Sequence, residues 1–275
     1  MLARNQQDRE PMVLLTRLDP FSTGESETHT ILRRAGAAVK ELPMINFALP
    51  TDTTELDKVL MRASVGEFAA IVLSSPTAAH FLALRANELG LVGELRKRGA
   101  FGAVGNATAA AMLQHGFQIT LPIPSSGGSA QLSALLAEQN LSDKPVLLLQ
   151  SQIGLGVLEG ALAEIGAEAE RVTLYHTMGP RVEDLARLLH YLEYDPPAVI
   201  AFFSPSAVTH FTRALAEMAS GLLHNLPALA CIGETTAKAV EEALHRRPEI
   251  VARKADQRTL GEGILHYLDS HIQRN

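Results

Sequence analysis

The chain repeats itself. Residues 68–81 (FAAIVLSSPTAAHF) are echoed by residues 198–211 (AVIAFFSPSAVTHF), and residues 103–109 (AVGNATA) by residues 231–237 (CIGETTA). Ser75 and Ser204 lie 129 positions apart, Gly105 and Gly233 lie 128 apart. Two matches in the same order and nearly the same register imply two related units. Each copy reads as an apolar strand, a Ser-Pro helix start, a second strand and a second helix start. Strand-helix alternation of this kind builds parallel sheets with right-handed crossovers. The gap between two such units is the expected place for a ligand.

The echoes do not divide the chain into equal halves. Residues 11–16 form a first predicted strand and residues 26–35 its helix, both ahead of the first echo. Residues 39–47 read as one extended segment containing Pro43. The second echo runs on to the C-terminus, with a last helix expected over 260–272. The simplest packing joins the N-terminal strand and helix to the second echo. This gives one discontinuous domain (1–46 plus 179–275), one continuous domain (49–174), and crossings near 43–50 and 174–180. Both crossings carry proline, which interrupts regular structure.

Apolar residues make up 47% of the 275, enough for full cores, and with no Trp the core must come from Leu, Ala, Val and Ile. The single Cys, Cys231, sits in an apolar run and reads as a buried strand residue. One Cys fits a reducing compartment. The N-terminal residues lack the apolar core of a signal peptide, and no stretch is long enough to span a bilayer, so a cytoplasmic protein without membrane attachment is expected. A net charge of −6 argues against nucleic-acid binding. The ten His are scattered without a metal-binding spacing, and no Ser sits in a nucleophile elbow. His176, beside Tyr175, is singled out as a residue able to change charge near neutral pH.

The repeated turns carry the chemistry. Ser75-Pro76 and Ser204-Pro205 place an N-capping Ser before a Pro suited to the first helical turn. The Gly105 and Gly233 turns do the same after the next strand, with the hydroxyls of Thr108 and Thr236 on offer. Ser129 and Thr259 are read as opening two later helices. Helix starts present unpaired N–H groups at the positive end of a dipole, and open α/β sheets bind ligands at the carboxyl ends of their strands. The pattern points to a ligand with several carboxylates or phosphates, held without many Lys or Arg. The plainer reading is that these are ordinary helix caps.

At these residues the chain resembles uroporphyrinogen-III synthases. The fragments are Val13–Arg17, Ser74–Ala78, Val104–Ala109, Val172–Thr177, Phe202–Ala207 and Ile232–Ala237, in family order and spacing. The resemblance implies two flavodoxin-like α/β domains, each a parallel sheet with helices on both faces, joined by a two-strand linker. It implies closure of linear hydroxymethylbilane, an octacarboxylate, to uroporphyrinogen III. The hydroxyl is lost and the last pyrrole ring is inverted through a spiro intermediate, with no metal or organic cofactor. Hand-over of the bilane from the upstream deaminase is a further implied partnership, and nothing requires more than a monomer. Tyr175 matches the family's tyrosine at the domain junction and is expected to help the hydroxyl leave. Ser75, Thr108, Ser204 and Thr236 match polar positions lining the family's cleft, and Arg17 the Arg ending the first strand. The chain departs from the family after the strand at 146–149. There an Arg and a further basic residue are usual, and here the run is Gln150–Gly156 (QSQIGLG). Gln150 or Ser151 stands where a carboxylate donor is expected.

Two rivals remain. Residues 154–160 (GLGVLEG) approximate a dinucleotide fingerprint with one residue too many before the third Gly. A two-lobed, non-catalytic receptor for a small polyanion would share the same architecture.

Overall fold

Both copies of the repeat fold the same way in a computed structural model of the chain, which describes residues 10–17, 25–123, 129–153 and 156–271. In chain order the elements begin with β1 (Met12–Leu15), α1 (Glu27–Arg34), β2 (Ala38–Glu41), β3 (Asn46–Ala48) and α2 (Thr54–Ser64). The first echo follows as β4 (Ala70–Leu73), α3 (Pro76–Glu88), α4 (Val92–Arg98), β5 (Phe101–Val104) and α5 (Asn106–Gln114). Next come β6 (Ile119–Ile123), α6 (Ser129–Ala137), β7 (Pro145–Ser151), α7 (Val157–Glu164), β8 (Glu168–Met178) and α8 (Val182–Tyr194). The second echo is β9 (Val199–Phe202), α9 (Pro205–Met218), β10 (Ala228–Cys231) and α10 (Glu234–Leu244), and the described chain ends with β11 (Ile250–Val251) and α11 (Gln257–His271). A short 3-10 turn, Ser220–Asn225, links α9 to β10.

The chain divides into two compact units. Unit 1 comprises Met1–Asn46 and Met178–Asn275, and unit 2 comprises Phe47–Thr177. The boundaries fall within β3 and at the end of β8.

Unit 1 is a five-stranded sheet in the order β11-β10-β9-β1-β2, parallel throughout. The N-terminal strand thus joins the second echo. Counted by its own strands the order is the flavodoxin-like 2-1-3-4-5. Successive residues alternate between its two faces. Leu14, Ile200, Phe202 and Leu229 pack with Leu188 of α8, Phe211 and Leu215 of α9 and Val240 of α10. Val13, Leu15, Val199, Ala201 and Ala230 pack on the other side with Leu32 of α1 and Leu260 and Ile264 of α11. Each of the largest of these side chains contributes about 1.5–3 kcal/mol by leaving water. Both faces being covered explains why the strands are apolar runs rather than alternating ones.

Unit 2 is a six-stranded sheet, β3-β8-β7-β4-β5-β6, whose pairs from β8 to β6 are parallel. Matching the echoes sets β4, β5 and β6 against β9, β10 and β11. It then sets β7 against β1 and β8 against β2. Unit 2 therefore has the same spatial arrangement as unit 1 with the chain entering at a different strand, a circular permutation. Val72, Val146 and Leu148 pack with Leu136 of α6 and Leu158 and Leu162 of α7. The alternate residues Ile71, Leu73, Leu147 and Leu149 are buried as well.

Several sequence expectations are corrected. The single extended segment at 39–47 is two strands, β2 and β3, which belong to different sheets. Pro43, lacking an N–H, lies in the break between them. Helix α4 and strand β6 are additions to the expected elements. The last helix starts at Gln257, ahead of the expected residue 260. Among the described residues no helix is long and apolar enough to cross a membrane.

Candidate functional site

An open parallel sheet binds ligands where the strand order reverses, at the carboxyl ends of the two strands on either side. In unit 2 that point lies between β4 and β7, and in unit 1 between β1 and β9. Ser75, at the end of β4, and Ser204, at the end of β9, occupy equivalent corners of these two places.

Ser75 is extended (φ −154°, ψ 155°) and caps α3, its Oγ accepting from Ala78 N–H at 3.0 Å. Ser204 caps α9 alike, accepting from Ala207 N–H at 3.2 Å. Ser75 has a second partner. Its Oγ lies 3.0 Å from the hydroxyl of Tyr175, and either oxygen can donate. Tyr175 reaches it from β8. The β7–β8 register slips there, with Gln150 opposite Thr173 and Ser151 opposite Tyr175. Leu174 and Tyr175 are in consequence both buried, a local re-aiming typical of bulges. Phe81 of α3 stacks on the Tyr175 ring (centroids 5.4 Å apart, planes at 9°), and Phe47 of β3 meets it edge-on at 5.7 Å. With 6% of its surface exposed, Tyr175 is held as a rigid ring with a polar tip at a helix start.

The other expected residues fall out differently. Thr108 and Thr236 are buried, at 2% and 3% exposure, in the first turns of α5 and α10. The exposed residues of those helix starts are Asn106 and Ala107 in unit 2, and Glu234 and Thr235 in unit 1. Glu234 already places a carboxylate at the positive end of α10, which disfavours a second anion there. The two glycines also differ. Gly105 has φ +79°, a conformation that favours glycine, whereas Gly233 is extended and its missing side chain makes room for Ala255, 3.3 Å from where a Cβ would stand.

Thr259 does not open α11. The cap is Asp256, whose Oδ1 accepts from Thr259 N–H at 2.8 Å, and the Thr259 hydroxyl donates to the Lys254 carbonyl at 2.7 Å. That backbone hydrogen bond is the largest cause holding the Asp256 carboxyl below its ordinary value. Ser129 does begin α6. Arg17 is exposed, just beyond β1. The preceding Thr16 donates its hydroxyl to Ala201 O on β9 at 2.9 Å, tying the two strands of the unit 1 reversal together.

Gln150 is buried, and its amide donates to Glu159 Oε1 at 2.6 Å. Of the fingerprint-like run, residues 154 and 155 lie outside the described residues, and Glu159 accepts from the Gln150 amide. Cys231 is fully buried, and burial above all pushes its thiol up to about 12. Among the described residues no three His, Cys, Asp or Glu side chains converge as a metal-binding set. Sequence reasoning missed Phe47, Phe81, Glu159 and Arg171. Only Phe81 carried a signal, as the last residue of the repeated segment.

Two flavodoxin-like units, one a circular permutation of the other, define a class of two-unit α/β proteins. The family model described as "Uroporphyrinogen-III synthase HemD" matches residues 26–260. The chain belongs to the uroporphyrinogen-III synthase family, cyclising lyases of haem biosynthesis. It is 27% identical to the uroporphyrinogen-III synthase of Chlorobaculum parvum over 181 residues, 64% of this chain and 70% of that one. Among solved structures it is similar in fold to the Helicobacter pylori uroporphyrinogen-III synthetase (TM-score 0.60, 17% identity, 94% of this chain and 99% of that one). A mutant form of the Thermus thermophilus uroporphyrinogen III synthase is alike (TM-score 0.58, 18% identity, 95% of this chain and 100% of that one). The receptor and dinucleotide readings are not favoured by these matches.

Proposed function

We propose that this chain closes hydroxymethylbilane to uroporphyrinogen III, with Tyr175 assisting departure of the hydroxyl and Ser75 orienting Tyr175. The observation that carries this reading is the 3.0 Å contact between the two hydroxyls. Ser75 Oγ takes the Ala78 N–H at the α3 start. When Ser75 donates its own proton to the Tyr175 oxygen, the phenol O–H is left to donate to the leaving oxygen. Hydrogen bonds in such a chain polarise one another, so the α3 terminus makes the phenol a better donor.

The overall reaction loses one water. The hydroxyl departs with the help of the Tyr175 hydrogen bond and leaves an azafulvene cation. Attack by the substituted carbon of the last ring gives the spiro intermediate. The original methylene bond at that carbon then breaks and re-forms at the ring's free α-carbon, whose proton is lost on rearomatisation and balances the departed hydroxide. Water must be kept from the cation, and the Phe47–Tyr175–Phe81 stack supplies an apolar, rigid wall. Choosing the inverted product is mainly a matter of holding the last ring in position. The exposed start of α5 and the α3 cap, both in unit 2, supply N–H groups suited to substrate carboxylates. A cytoplasmic site of action fits the single, buried Cys, and hand-over of the bilane by the deaminase is proposed from family membership alone.

Purified protein supplied with freshly made hydroxymethylbilane tests the reading. The type III isomer is expected after oxidation and chromatography, and type I alone would refute it.

A further inference from the structure

The turn after β7 lies at the strand reversal of unit 2, where a polycarboxylate needs a cation, yet residues 150–168 contain no Lys or Arg. The cation comes from the next strand. Arg171 on β8 pairs in register with Leu148, and its side chain runs forward to the carbonyls of Ser151 and Gln152, each at 3.3 Å. Its Nε is 3.5 Å from Glu159 Oε1. These contacts are all at the long end of their range. Glu159 Oε1 is shared with the Gln150 amide, while Glu159 Oε2 is buried without a hydrogen-bond partner. A pair built for stability would place the guanidinium fork on both oxygens. Here the carboxylate is one donor short and the guanidinium is loosely held, with its side chain 35% exposed.

We infer that Arg171 is a carboxylate-binding residue of unit 2, with Glu159 as its resting counter-ion. The role of the bound carboxylate as part of the bilane rests on the reading above. A ligand carboxylate offers the two-oxygen partner that Glu159 does not, and draws the guanidinium from the turn.

The test uses the full chain and uroporphyrin III, the oxidised octacarboxylate, read by fluorescence titration with its octamethyl ester as control. Arg171→Gln is expected to weaken octacarboxylate binding about tenfold, the scale of one charge-assisted hydrogen-bonded pair. Ester binding should be unaffected. Arg171→Lys should fall between, having charge without the fork. Glu159→Gln should bind the octacarboxylate more tightly, because the competing counter-ion is gone. With bilane, Arg171→Gln should raise KM more than it lowers kcat. Unchanged octacarboxylate binding by Arg171→Gln would overturn the assignment, as would equal weakening by Glu159→Gln, which would mark the pair as structural. A wild-type protein inactive on bilane whose variants still show this binding pattern would refute the synthase reading and leave the Arg171 assignment standing.

Discussion

The hydroxyl of Tyr175 and the Oγ of Ser75 are 3.0 Å apart across 100 residues of chain. The contact joins β8 to the start of α3, and it distinguishes Ser75 from its counterpart Ser204, which is otherwise the same cap. That difference separates capping from chemistry.

Ser75→Ala and Ser204→Ala each remove a side-chain cap and should each cost about 1 kcal/mol of stability. Only Ser75→Ala also strips Tyr175 of its partner. Denaturant unfolding should show similar losses for the two, while type III formation falls several-fold more in Ser75→Ala. Equal kinetic effects would show that Ser75 acts as a cap alone.

Thr108→Ala and Thr236→Ala should behave as packing variants, since both residues are buried. A loss of about 1 kcal/mol in unfolding experiments is expected, with KM for the bilane near the wild-type value. A raised KM without loss of stability would restore their hydroxyls to the binding surface.

His115 and His80 face each other with Nε2 and Nδ1 2.6 Å apart, so one must accept what the other donates. Burial first, then the neighbouring Arg96, lowers the His115 value from 6.5. The folded state therefore favours neutral His115. Its contribution to stability is full above the unfolded value and is lost as pH falls through the folded one. Melting temperature should drop from about pH 7.5 towards about pH 5 more steeply in wild type than in His115→Gln. Parallel curves would show that this pair does not contribute to acid sensitivity.

Cys231 should be inert. Only the thiolate reacts, and the thiol is buried with its pKa pushed up to about 12. Iodoacetamide at about pH 8 should modify the protein in denaturant and leave the native protein untouched. Rapid native alkylation would contradict the burial.

Much of this architecture was legible because the repeat encodes it. Apolar runs followed by Ser-Pro or Gly turns located β4, β5, β9, β10 and the helices after them. The joining of β1 to the second echo followed from counting strands. The permutation of unit 2 was not legible, because β7 and β1 share only a short apolar run and sheet order is a long-range property. The site was half visible. Tyr175 stood out through family resemblance and Ser75 through the repeat, but their contact depends on the β7–β8 register slip, which leaves no local signature. Thr259 misled because Asp256, three residues earlier, is the better cap and takes the helix start for itself. The role of Gln150 was hidden because its partner Glu159 lies in the next helix.

The most direct test of the account is the rate at which Tyr175→Phe forms the type III isomer from freshly made hydroxymethylbilane, compared with wild type. The ring, its stacking on Phe81 and the fold should survive the loss of one hydroxyl. The account predicts a fall of tenfold or more, about 1.4 kcal/mol in the barrier. An unchanged rate in a folded variant would contradict it.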